Sequence, residues 1–275
     1  MGVQESVTTP LPPFLKWAGG KRWLVENHLE LLNIHFERYI EPFLGSGAVF
    51  FRLAPKSAIL SDSNAQLIDT YRAIGDDWKK VLRLLRNHHR SHTKEYYYKI
   101  RAQKPRSSAG GAARFIYLNR TCWNGLYRVN LRGQFNVPIG TKTNVILSTD
   151  DFEKCASLLA NAKLYSQDFE TILGKAKTGD FVFVDPPYTV RHNDNAFIKY
   201  NESLFSWEDQ IRLRNCVRSA LDRGAKLIIT NACNKCIQEL YYGIGEHITL
   251  SRASVISGKS SARGKYDEMV IKCLG

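Results

Sequence analysis

The chain has 275 residues, of which 39 are Lys or Arg and 26 are Asp or Glu, giving a formal net charge of +13 at pH 7 with 44% hydrophobic residues. That length makes one large domain, or one domain carrying a smaller insert, with ample material for a core. The basic surplus points to a polyanionic partner and away from a small acidic substrate, because each neutralised phosphate releases condensed counterions.

The longest apolar runs, such as 181–184 and 227–229, are far shorter than the roughly 20 residues that cross a bilayer. The N-terminus has no basic region leading into an apolar one, so a soluble, cytoplasmic protein without a membrane partner is expected. Six cysteines, at 122, 155, 216, 233, 236 and 273, are scattered and need not form a disulfide framework. Cys233 and Cys236 form a Cys-x-x-Cys with no second pair and no nearby His, so no metal is expected there.

In chain order, a Pro- and Thr-rich lead-in (1–13) precedes Phe-Leu-Lys-Trp-Ala-Gly-Gly-Lys at 14–21 and a helical pattern over 20–35. A strand at 39–43 runs into Glu41-Pro-Phe-Leu-Gly45-Ser-Gly47, with an apolar helix from about Ala48. A second strand, 58–61, ends at Asp62 and leads to a helix over 64–74. Helices at 150–161 and 207–223 and strands at 163–166, 181–184, 226–230, 247–250 and 269–273 continue the alternation, which predicts a mostly parallel sheet covered on both faces.

The alternation fails between 76 and 143. Helical stretches at 77–89, 94–104 and 109–120 are followed by 124–138, where Gly125, Asn130-x-x-Gly133 and β-prone residues predict a hairpin. Rich in Arg, Lys and Tyr, 76–143 is expected to be an inserted domain, leaving 1–75 and 144–275 as the main one.

The strand Phe-Val-Phe-Val at 181–184 places Asp185 at its carboxyl end, and Pro186 and Pro187 stop the ladder there. In an open α/β sheet, ligands bind at that edge. A carboxylate, the Pro186 carbonyl and the Tyr188 ring suit a planar base with an exocyclic amino group, which has two N–H donors and a face to stack. Alone, the segment would also serve as a strand stop with a buried tyrosine.

Gly45 and Gly47 permit close approach of a ligand to the backbone before a helix, but Phe50 stands where a dinucleotide fingerprint has its third glycine. Asp62 suits two ribose hydroxyls, and equally a cap for the helix at 64. Lys21 and Trp17 suit the carboxylate and cationic centre of an amino-acid-bearing cofactor, while the spacing of a phosphate loop is absent.

As a set, in this order, these segments resemble the DNA adenine-N6 methyltransferases of the Dam type, from about residue 11 through the tail Arg-Gly-Lys-Tyr-Asp-Glu at 263–268. The resemblance implies a Rossmann-like α/β methyltransferase sheet with an inserted, mainly helical DNA-recognition domain carrying a β-hairpin. It implies S-adenosyl-L-methionine held by Trp17, Lys21, Gly45, Gly47, Asp62, Asp168, Phe169 and Asp185, with no metal. The catalytic groups it implies are Asp185, Pro186 and Tyr188, acting on a flipped adenine in double-stranded DNA, and Phe197 and Tyr200 match a segment closing over that base.

Residues 118–138 resemble the family's recognition hairpin. Arg128 matches an arginine that reads guanine, a base whose O6 and N7 fit the guanidinium fork. Trp123 and Leu126 match inserted side chains, with Trp where the best-known members have Tyr. Asn124, Asn130 and Arg132 belong to the same segment, Lys16 lies at the DNA beside the cofactor loop, and Arg252, Lys259, Arg263 and Lys265 are phosphate candidates. GATC is the implied target and a monomer the expected state. The rivals are transfer to another site, to cytosine N4 or to RNA, and a DNA-binding relative without activity; a dehydrogenase has no use for the basic insert.

Overall fold

The computed structural model describes residues 11–130, 132–189, 205–253 and 265–274. Its strands are β1 (Arg38–Glu41), β2 (Ala58–Ser61), β3 (Ala162–Tyr165), β4 (Asp180–Val184), β5 (Lys226–Ala232), β6 (Glu246–Ala253) and β7 (Lys265–Cys273), joined in one sheet of order β3-β2-β1-β4-β5-β7-β6. β1 pairs in parallel with β2 and β4, and β4 with β5. β7 runs antiparallel between β5 and β6. Strand order reverses between β1 and β4, a switch point whose carboxyl ends form the crevice where α/β sheets bind ligands. All five residues of β4, DFVFV, are buried, as a parallel strand covered on both faces requires. This is a Rossmann-like, doubly wound arrangement.

The chain divides into two compact units, one of Met1–Asn33, Gly45–Lys56 and Asn64–Leu164, the other of Ile34–Leu44, Ser57–Ser63 and Tyr165–Gly275. The stretch 76–143 falls wholly within the first unit. That unit is helical: α1 (Arg22–Asn27), a 3-10 turn (Leu29–Leu32), α2 (Ala48–Leu53), α3 (Ala65–Arg90), α4 (Lys94–Ala102), α5 (Ser108–Thr121) and α6 (Phe152–Leu159). Asn64, Thr93, Ser107 and Asp151 cap α3 to α6 by accepting from first-turn amides.

One element differs from expectation, and two others add detail to it. The helix foreseen over 20–35 is only α1 and a 3-10 turn, because His28 leaves helical space (φ −138°) and the Asn27 amide bonds back to the Trp23 carbonyl. The two helices foreseen at 64–74 and 77–89 follow one another along α3 and are separated at Asp77, which leaves helical space (φ −154°) and whose carboxylate accepts from Lys80 N to cap the second. In 124–138 the antiparallel bridge of Val129 with Phe135, with Asn130 N–H on the Gln134 carbonyl and Asn136 N–H on the Arg128 carbonyl, makes a short hairpin, and a second bridge just outside it pairs Cys122 with Ile139. A 3-10 turn at Trp123–Gly125, with Asn124 at φ +56°, takes the chain out of strand geometry.

In the second unit, α7 (Phe169–Leu173), α8 (Trp207–Asp222) and α9 (Lys235–Leu240) cover one sheet face. Ile40, Val182, Val184, Leu227 and Ile229 meet Ile172, Leu213, Val217 and Ile237 in a continuous core there. Alternation along the strands turns Tyr39, Glu41, Phe181, Phe183 and Thr230 to the other face. Among the described residues no helix is long and apolar enough to cross a membrane, and no cluster of His, Cys, Asp and Glu could hold a metal ion.

Candidate active site

The carboxyl ends of β1, β4 and β5 gather three carboxylates and three hydroxyls in the second unit. The Tyr39 hydroxyl donates to Glu41 Oε2 at 2.9 Å, with both residues buried. The Thr230 hydroxyl donates to Asp185 Oδ1 at 2.7 Å. The Tyr188 hydroxyl donates to Glu268 Oε2 at 2.9 Å. Each acid thus takes a proton donor from its own hydroxyl, which offsets the cost of crowding like charges in a dry site.

Both phenols are held in the protonated form. Burial pushes Tyr39 well above the ordinary tyrosine range, aided by the charges of Glu41 and Asp185. Burial and the charges of Asp185 and Glu268 do the same for Tyr188. Pro186 is buried and Tyr188 half-buried, so the turn after β4 is rigid in its backbone and fixed at both of its functional side chains.

Asp62 follows β2 and is half-buried, with its backbone N–H on the Tyr165 carbonyl at 3.3 Å. The N-cap of α3 is Asn64, whose side chain accepts from Leu67 N. Asp168 caps α7, accepting from Glu170 N at 2.9 Å, and both its oxygens accept from Arg212 at 2.9 Å. The same guanidinium lies 4.3 Å from the Phe169 ring centre, and that ring stacks on Phe43 at 5.4 Å. The carboxylates of Asp168, Asp209 and Glu170 raise the Arg212 pKa further.

In the first unit, Lys21 is 3% exposed and its Nζ donates to the Gly19 carbonyl at 2.6 Å. Trp17 stacks on Tyr127 at 5.6 Å and on Phe115 at 6.3 Å. Gly45 lies against the same indole: at φ +49°, a Cβ there would come 2.7 Å from Trp17 Cδ1. Gly47, at φ +66°, is the N-cap of α2. Gly45 thus presents bare backbone beside a tryptophan.

The expected DNA-reading residues share a segment pinned from beneath by Asn119. This amide is 1% exposed; its Oδ1 accepts from Lys16 N at 2.9 Å, and its Nδ2 donates to the carbonyls of Lys16 (2.8 Å) and Gly125 (3.3 Å). Above it, Trp123 is 52% exposed, Asn124 is exposed and Leu126 half-buried. Arg128 is exposed, and its Nε donates to Asn136 Oδ1 at 2.9 Å. Asn130 closes the tip, its Oδ1 accepting from the amides of Arg132 and Gln134 at 3.0 Å, while the Arg132 side chain is exposed.

Lys16 sits beside Lys142, and burial first, then that neighbour, lowers its pKa to about 8. Arg252 and Lys265 belong to β6 and β7, while Phe197, Tyr200, Lys259 and Arg263 lie outside the described residues. Tyr39, Asn119, Lys142, Arg212 and Thr230 escape sequence reasoning, and Glu268 enters it only inside a quoted tail. The available signals were a hydroxyl inside the apolar run 227–230 and an amide on the apolar face of the helix at 109–120.

A sequence profile described as D12 class N6 adenine-specific DNA methyltransferase matches residues 17–255. The chain is 38% identical over 285 residues to the Type II methyltransferase M1.LlaDCHI of Lactococcus lactis subsp. cremoris, with 100% of both chains covered. It is 35% identical to the Type II methyltransferase M.MjaIII of Methanocaldococcus jannaschii, covering 94% of this chain and 98% of that one. It is 31% identical to the DNA adenine methylase of Escherichia coli K12, covering 94% and 93%. With an Asp-Pro-Pro-Tyr turn at the switch point of such a sheet, the chain belongs to the D12 class of N6 adenine-specific DNA methyltransferases, which take their methyl group from S-adenosyl-L-methionine.

Proposed function

We propose that the enzyme methylates N6 of an adenine turned out of double-stranded DNA at GATC, through Asp185, Pro186 and Tyr188. The observation that carries this reading is the pair of bonds fixing the turn after β4, Thr230 to Asp185 and Tyr188 to Glu268. Asp185 accepts one N6 hydrogen, the Pro186 carbonyl accepts the other, and Tyr188 stacks on the ring. With both protons drawn to acceptors, the nitrogen lone pair is free to form the N–C bond, and holding the reactants in register supplies much of the rate. Asp185 stays in reach of the proton that N6 sheds afterwards.

When bound, S-adenosyl-L-methionine supplies an electrophilic methyl carbon whose bonding pair leaves with sulfur. Three features suit such a ligand. Gly45 offers backbone where a Cβ would strike Trp17, Asp62 offers an acid for ribose hydroxyls, and Phe169 offers an aromatic wall braced by Arg212. We assign Trp17, Lys21, Gly45, Gly47, Asp62, Asp168, Phe169 and Asp185 to it; in Asp168 the carboxylate already receives Arg212, so its part there is to hold its segment in place.

Arg128 is assigned to a guanine of the site. Asn136 holds it through Nε, and among the described residues its two terminal nitrogens remain for a base edge. Trp123 and Leu126 support the opened stack, and Lys16, Asn124, Asn130 and Arg132 complete the DNA-facing set, in an enzyme acting as a monomer. The test is transfer of labelled methyl from S-adenosyl-L-methionine to two duplexes, one with a single GATC and one with GTTC in its place, followed by nucleoside analysis. N6-methyladenine in the GATC duplex alone is expected. Equal label in both sinks the recognition assignment, and label on cytosine sinks the assignment of the turn.

A further inference from the structure

Two side chains outside the Asp-Pro-Pro-Tyr turn reach its two functional side chains, and they come from different strands. Thr230 of β5 is wholly buried and donates to Asp185. Glu268 of β7 is 2% exposed and accepts from Tyr188. In the β5–β7 register Ala232 lies opposite Glu268 and Thr230 opposite Val270, so both anchors sit on one stretch of a single antiparallel ladder.

Neither residue is what packing alone would select. Thr230 follows Leu227, Ile228 and Ile229, where valine would fill the same volume with no hydroxyl to satisfy. Glu268 precedes the apolar run Met269-Val-Ile, and burying a carboxylate there is costly unless it is bonded. The proline pair stiffens the backbone of the turn, but it leaves the Asp185 carboxylate and the Tyr188 ring free to rotate about their side-chain bonds. A charge-assisted bond at each removes that freedom. Among the described residues, the Asp185 charge acts on Tyr39 of β1 and on Tyr188, and the hydroxyls of these two donate to Glu41 and Glu268.

We propose that Thr230 is a positioning residue that aims the Asp185 carboxylate at adenine N6, and that Glu268 likewise sets the Tyr188 ring, so that β5 and β7 clamp the methylating turn. The inference rests on the reading of Asp185 and Tyr188 given above. Thr230 is not a catalytic residue, since it acts through Asp185 and, by a second side-chain hydrogen bond, through Tyr188.

The experiment measures the single-turnover rate of methyl transfer to the GATC duplex, with equilibrium binding of duplex and of S-adenosylhomocysteine as separate readouts. Thr230→Val should slow transfer about 10- to 100-fold, the worth of one hydrogen bond to a charged group, while both dissociation constants stay within about 3-fold. Thr230→Ser, which restores the hydroxyl, should recover most of the rate. Thr230→Ala is run beside the valine variant, so that whichever folds gives the answer. For Glu268, a duplex with 2-aminopurine at the target reports stacking on Tyr188: emission should rise in Glu268→Leu and stay at the wild-type level in Glu268→Gln, which keeps an acceptor.

A wild-type rate in Thr230→Val or Thr230→Ala, or a serine variant as slow as the valine one, overturns the assignment of Thr230. Unchanged emission in Glu268→Leu overturns that of Glu268. Asp185→Ala separates the two levels: if it turns over normally the turn itself is misassigned, and if it is inactive while Thr230→Val is normal only the positioning role fails.

Discussion

At the carboxyl end of β4 the side chains assigned to the chemistry are bonded from β5 and β7, whereas between Cys122 and Ile139 the exposed side chains assigned to reading DNA stand on two isolated bridges. The chemical turn is complete before any ligand arrives. Its acids have their donors and its phenols their acceptors, as electrostatic preorganisation demands. The reading segment is secured from below by one buried amide, Asn119, and leaves Trp123, Asn124 and Arg128 to solvent. A group that must stabilise charge on a fixed atom gains from rigidity, while groups that must meet a deformable duplex gain their remaining contacts from the duplex itself.

The sharpest way to break this contrast is Asp185→Ala, which should lower transfer by at least about a thousandfold while duplex affinity stays within about 3-fold, because an N6 acceptor is lost and no phosphate contact is. A parallel fall in affinity, in a filter-binding or anisotropy titration, would mean that the turn also holds the DNA. Next in size is Asn119→Ala, which strands Lys16 N–H and two carbonyls and should cost about 2–4 kcal/mol in urea unfolding. A loss near zero would show that the reading segment has another anchor.

Arg128→Ala should reduce discrimination at one base pair by about 1–3 kcal/mol, read as a ratio of kcat/KM on single-substitution duplexes, with the others unchanged. Smallest is a pH effect at Lys16, whose pKa is lowered to about 8, chiefly by burial. Below that pH the amine is charged and duplex phosphate favours the charged form, so affinity should fall as pH rises through about 8. The drop between pH 7 and 9 should be about 2- to 3-fold at low salt and vanish in Lys16→Met. A flat wild-type profile removes Lys16 from the contact.

Much of the chemical turn could be read from sequence because local signals coincide there: Phe181–Val184 is apolar on both faces, two prolines end it, and Asp185 stands at the break. Its anchors could not, because Thr230 becomes meaningful only once β5 is known to lie beside β4, and Glu268 only once β7 is known to run antiparallel beside β5. Asn119 is hidden for the same reason, bonding to Lys16 across a long stretch of chain. The break between the helices foreseen at 64–74 and 77–89 was legible: Asp77 leaves helical space there, and its side chain accepts from Lys80 N to start the second. The hairpin at 124–138 was legible at its tip, Asn130 and Gly133, across which Val129 pairs with Phe135; the left-handed Asn124 that ends the extended geometry near Trp123 was not.

The antiparallel insertion of β7 also sets an order of events in biogenesis. β5 has β4 on one side from early on, but its other edge waits for a strand that the ribosome delivers only after β6. Until then a row of apolar side chains and unpaired amides stays open, the kind of edge that recruits other chains and chaperones. Among the described residues β6 pairs only with β7, so the docking of β7 closes the open edge of β5 and one edge of β6 together. The same docking step brings Glu268 to Tyr188, so the nascent protein gains protection from aggregation and its finished turn together.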